Sequence, residues 1–145
     1  MITREVGRKF IRDVARDFSG TDFIEERDGA LIGLVWENDG LSAGVAVNDE
    51  SAWVWLADAT APVNSAEEAV GLLHAIFEDE IVALAAYDSG VWVSYALANA
   101  VDLDRPPHLL VPLEPRQINR VSELHVRSWS GRLDGIRKLP AQDSQ

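Results

Sequence analysis

Three tight carboxylate groups are the residues whose type and spacing could do acid–base chemistry: Glu67/Glu68, Glu78/Asp79/Glu80 and Asp102/Asp104. With 24 acidic residues in 145, such clusters arise by chance, and none of the three carries a partner motif. The same side chains could ligate a hard cation, but the sequence has no Asp-x-Asp-x-Asp-Gly loop. His74, His108 and His125 lack metal-ligand spacing, and there is no cysteine to act as nucleophile, ligand or disulfide. No serine stands in a Gly-x-Ser-x-Gly turn, and neither Gly-x-Gly-x-x-Gly nor a phosphate loop of the Walker type occurs. The expectation is a protein without catalytic residues, cofactor or metal.

The aromatic residues say more. Five tryptophans are many for this length, and Trp53 and Trp55, at i and i+2, share one face of a strand. Tryptophan buries a large area, so these two serve either as core or as anchors of an interface. Glu37, Asp39, Asp49, Glu50 and Asp58 border them in sequence, the layout of an apolar contact with a charged rim. These seven residues are the candidate partner-binding set.

Charge points the same way. The net charge is −11, and residues 20–104 hold 17 acidic residues against one base, Arg27, while both ends are weakly basic. A middle this acidic repels nucleic acid and anionic lipid and attracts cationic partners. No apolar run approaches the ~18 residues of a membrane span, and the start lacks a signal-peptide core, so a cytoplasmic location is expected.

The elements that must position these residues form a single domain over 1–139, with a frayed tail over 140–145. Residues 2–18 read as an amphipathic helix, with Ile2, Val6, Phe10, Val14 and Phe18 on one stripe, Arg4, Arg8, Arg12 and Arg16 on another, and Ser19-Gly20 as its stop. Asp28-Gly29, Asn38-Asp39-Gly40 and Asn48-Asp49-Glu50 separate four runs, 22–27, 30–37, 41–47 and 51–58, which predicts a four-stranded antiparallel meander. Pairing by the turns puts Phe23, Ile32, Leu34, Trp36, Gly44, Ala46, Ala52, Val54 and Leu56 on one face. Ile24, Leu31, Val35, Leu41, Val45, Trp53 and Trp55 fall on the other.

Residues 65–77 read as a second helix with a Ser65/Glu68 capping box. The carboxylates at 78–80 then oppose its dipole, so either the helix ends by Phe77 or this acidic knot has another task. A hairpin over 81–97 turns at Asp88-Ser89-Gly90. Four prolines exclude a helix from 102–117, and strands close the chain over 124–129 and 132–139. The class expected is α+β, with six to seven antiparallel strands and two principal helices.

The hairpin Ala86–Val93 and the stretch Val126-Arg127-Ser128-Trp129-Ser130-Gly131-Arg132-Leu133-Asp134, with the acidic tryptophan-bearing meander, resemble small acidic immunity proteins of bacterial polymorphic-toxin systems. That resemblance implies tight binding to a cognate toxin, usually over its active site or substrate cleft. The element order also resembles secretion-chaperone-like domains, which are acidic and commonly dimeric. It departs from them in having a fourth strand before the second helix and prolines where their last helix stands. The expected function is therefore non-catalytic protein binding. The partner is a basic or enzyme-like toxin, or for a chaperone a segment of another protein. A small carboxylate-dependent enzyme is the remote alternative.

Overall fold

The structure, a computed structural model, describes residues 2–18, 22–25 and 32–140, and for 22–25 the backbone alone. The expected turn at Asp28-Gly29, the stop at Ser19-Gly20, the side chains of Phe23, Ile24 and Leu31, and the tail from 141 lie outside the described residues. The fold is α+β, with two α-helices and antiparallel pairing among the described residues. The described strands number nine and divide between two sheets rather than forming one. Strands β1 (Asp22–Glu25), β2 (Ile32–Asn38), β3 (Leu41–Val47), β4 (Ala52–Leu56) and β5 (Ala59–Val63) form a meander in sequence order. The second sheet runs β7-β6-β8-β9, from β6 (Ile81–Asp88), β7 (Val91–Asn99), β8 (Glu123–Arg127) and β9 (Gly135–Lys138). β5 is the strand the sequence reading missed. Its Pro62 argues against a strand, but β5 is the last strand of its sheet, where a missing donor is tolerated.

Helices α1 (Arg4–Ala15) and α2 (Ala66–Phe77) lie against the same face of the first sheet. Thr3 caps α1, its hydroxyl accepting from the Val6 amide, and the ridge arginines 4, 8, 12 and 16 are exposed, with Lys9–Asp13 paired at 2.9 Å. Ile11 and Val14 are fully buried, whereas Val6 sits on the flank of the stripe and is largely exposed. Ser65 caps α2 by accepting from Glu68, and the Glu68 carboxylate takes the Asn64 amide. Ala69, Leu73 and Ile76 face the sheet. They close a core with Ile32, Leu34, Trp36, Val45, Val54 and Leu56. At one end of this layer Phe18, Trp36, Phe77 and Trp129 interlock, with ring centroids 5.0–5.6 Å apart.

The face map needs one correction. β2 and β3 meet at Asn38↔Leu41, so the turn is the two residues Asp39-Gly40, both at positive φ, and not three. One residue fewer reverses the parity of β3. Leu41, Ala43, Val45 and Val47 therefore face the helices, and Gly44 and Ala46 join Val35, Trp53 and Trp55 on the far face. The assignments for β2 and β4 stand.

The second sheet has its own core. Val82, Leu84, Ala86, Leu124 and Val126 are covered by Leu110, Val111 and Val121 from the proline-rich segment. That segment folds as three short 3-10 turns (Ala100–Asp102, Pro107–Leu109, Pro115–Gln117), the second and third opening on a proline whose missing N–H costs nothing there. The Arg137 guanidinium fastens it by donating to the carbonyls of Leu103 and Arg105 at 2.6 and 2.7 Å.

The acidic knot after α2 has a structural task. α2 ends at Phe77, and Asp79 takes the left-handed conformation (φ 62°), closing a Schellman turn through Glu80 N–H to Ala75 O at 2.8 Å. The buried Asp79 carboxylate accepts from both the amide and the hydroxyl of Ser130 and faces Arg132 at 3.5 Å. It thereby ties α2 to the β8–β9 turn. Burial raises its pKa, but the Ser130 bonds and Arg132 outweigh this and hold the carboxyl below its ordinary value. The stabilisation is complete above about pH 4 and fades as the pH falls through the lowered value. Asp79→Ala should cost about 2–3 kcal/mol near neutral pH and flatten the acid limb of the stability curve, read by urea unfolding between pH 2.5 and 7. An unchanged acid limb would detach Asp79 from that role.

Candidate functional site

With both helices on one face, the opposite face of the first sheet is left without a helix among the described residues, and it carries Trp53 and Trp55. Cross-strand rows run Thr60–Trp55–Gly44–Val35 and Pro62–Trp53–Ala46–Gly33. Trp53 and Trp55 are both half-buried, so they are neither sealed core nor free side chains. Trp55 lies flat across Gly44, where a β-carbon would collide with the indole and with the Leu34 carbonyl. Its Nε1 donates to Ser42 Oγ at 3.2 Å. Glycine at this position is what lets the indole lie down.

The five expected rim carboxylates are all exposed. Glu37 shares the tryptophan face, opposite Ser42. Asp39 and Asp58 occupy the β2–β3 and β4–β5 turns at one end of the meander. Asp49 and Glu50 occupy the β3–β4 turn at the other, where Asn48 Oδ1 accepts from the amides of Glu50 and Ser51. The seven residues thus border one surface, split into two acidic ends.

A second feature adjoins the Asp58 end and was not foreseen. β5 lies beside β7, and where the sheets meet a cleft of 150 Å³ opens between them. Its floor is small: Ala57, Ala59, Ala83 and Ala85. In the register Tyr95↔Ala85↔His125, β6 supplies the floor between a Tyr95 wall on β7 and a His125 wall on β8. Asp58 stands by the first wall and Arg127 by the second. A bulge in the β6–β7 ladder, which leaves Val93 unpaired, shifts Trp92 to the same side as Tyr95, and their rings meet at 4.7 Å, tilted by 37°. Tyr87 lies on His125 at 4.3 Å, and His125 Nε2 meets Glu123 at 2.9 Å. Partial burial, the Asp58 carboxylate and the neighbouring Tyr87 raise the Tyr95 phenol above its ordinary pKa. The hairpin Ala86–Val93 is prominent in the sequence, but the bulge that aims its aromatics is not.

The candidate acid–base groups serve the backbone or the surface. Glu68 accepts the Asn64 amide ahead of α2, Asp79 holds the Ser130 turn and Asp102 pairs with Arg105 at 3.2 Å. Glu67, Glu78, Glu80 and Asp104 are exposed. His74 is exposed with its ring against Phe18 at 4.7 Å, and His108 is exposed beyond Pro107. Among the described residues no group of three His, Asp or Glu converges as a metal site, and no helix is long and apolar enough to cross a membrane.

The chain matches no protein-family model, no curated protein and no solved structure.

Proposed function

We propose that this protein is a non-catalytic binding domain that docks a basic folded protein on the helix-free face of its first sheet. In the reading suggested by the immunity-protein resemblance, that partner is a toxin whose activity is blocked by being covered. The observation that carries this is the pair Trp53 and Trp55, half-buried side by side on that face, with Glu37, Asp39 and Asp58 at one end and Asp49 and Glu50 at the other. An indole seated on a cross-strand glycine, as Trp55 is on Gly44, is a rigid anchor that loses little entropy on contact. Carboxylates in a solvated rim steer a cationic partner and set the on-rate more than the affinity.

The test begins with partner capture at low and moderate salt, and continues with the purified partner titrated against variants. Trp53→Ala and Trp55→Ala should each weaken binding by about 2 kcal/mol or more, close to 30-fold, with the fold retained. Neutralising Asp39, Asp49 and Glu50 together should slow association and reduce its salt dependence while dissociation changes little. Partner binding indifferent to both tryptophans would overturn the assignment of this face. A partner that is an enzyme and loses activity on binding would support the immunity reading, and one recognised only as an extended peptide would favour the chaperone.

A further inference from the structure

We infer that the cleft between the two sheets is a receptor for one guanidinium side chain of the bound partner, an inference that rests on the docking reading above and names what that partner must carry. Four observations support it. The floor is built from Ala57, Ala59, Ala83 and Ala85, with Leu84 between the last two buried in the second sheet's own core, so a slender aliphatic stem can lie along Ala83 and Ala85 where a bulkier residue would fill the trough. The walls are aromatic and braced: Tyr95 by Trp92 and Tyr87 by His125, giving flat faces of the kind a planar cation stacks on. The charge is divided across the cleft. Asp58 lines its Tyr95 side, and Arg127 lines its β8 side, where Glu123 meets His125 at 2.9 Å. Arg127 itself is turned toward Asp134, 3.9 Å away. Finally, Asp58, in the β4–β5 turn, belongs both to this cleft and to the rim of the tryptophan face, so it links the two surfaces.

Trp92 is half-exposed on the same face of the second sheet. It would extend the aromatic surface beyond the cleft without being needed for the charge contact.

The probe is N-acetyl-arginine amide, titrated while the Trp92 indole and the Tyr87, Tyr95 and His125 rings are followed by NMR. Saturable shifts confined to these rings are expected. Binding should weaken at least 10-fold in Asp58→Asn, which removes the charge, and in Ala85→Leu, which fills the floor. The lysine analogue should bind more weakly than the arginine one. No saturable binding, binding indifferent to both variants, or equal binding of the lysine analogue would overturn the inference. Asp58→Asn alters an exposed side chain, so it remains informative should Ala85→Leu fail to fold. With the intact partner, Ala85→Leu separates the two proposals. If Trp53→Ala weakens the complex and a folded Ala85→Leu does not, the cleft has no role in docking and the inference falls alone. If neither tryptophan variant matters but the arginine amide binds as expected, the docking face falls and the cleft stands as a guanidinium site.

Discussion

Trp36→Ala should cost about 3–5 kcal/mol of stability, whereas Trp53→Ala should cost roughly 1 kcal/mol, although the two indoles sit on strands β2 and β4 of one meander. Trp36 is 9% exposed and interlocks with Phe18 and Phe77 at 5.3 and 5.4 Å, on the face that α1 and α2 cover. Removing it leaves a void among rigid rings that cannot collapse to fill it. Trp53 faces away from the helices, across from Ala46 and Pro62, and already keeps water on one side. Its loss forfeits cross-strand contact but opens no cavity. Urea unfolding followed by far-ultraviolet circular dichroism reads both values without relying on tryptophan emission. Equal costs would mean that Trp53 is sealed in a core, and it could not then serve as an anchor for a partner.

Gly44→Ala should destabilise by about 2–3 kcal/mol, while Gly71→Ala should stabilise by up to about 1 kcal/mol. The added methyl group is the same, and the surroundings decide the sign. At Gly44 the new β-carbon would press into the Trp55 indole and the Leu34 carbonyl, and the carbonyl belongs to the backbone and cannot step aside. At Gly71, on the exposed side of α2, nothing lies within 4 Å, so the substitution only lowers the entropy of the unfolded chain and favours the helix. In a Trp55→Ala background the Gly44→Ala penalty should shrink, because one of its two obstacles is gone, but not vanish. The coupling from that double-mutant cycle measures how firmly Gly44 seats the indole. Additive costs would mean that the indole is not held by the glycine, and the rigidity argued for the docking face would go with it.

Much of the fold follows from local chemistry that a sequence displays directly. The helix Arg4–Ala15 comes from a four-residue apolar repeat, and the second helix from Ser65 and Glu68 set three apart before Val70, Leu73 and Ile76. Asp39-Gly40 and Ser89-Gly90 supply consecutive positive-φ residues, so both hairpins were legible. The charge of the middle segment, and with it the expectation of a cationic partner, is a property of composition alone. What local chemistry leaves open is parity and partnership. A turn of two residues rather than three decides whether Val45 or Gly44 faces the helices, and no residue type records that count. Strands that alternate locally do not say which of them meet, so one expected sheet became two, and β5 beside β7 created a cleft between them. A bulge at Val93 turned Trp92 onto Tyr95, and Asp79 found Ser130 fifty-one positions away. That Trp53 and Trp55 would be half-buried on the face away from the helices likewise depends on where the helices lie. Both helices chose the face of Leu34, Val45 and Val54, because only that face offers a continuous branched apolar surface to bury, while the other is interrupted by Gly33, Gly44 and Ser42.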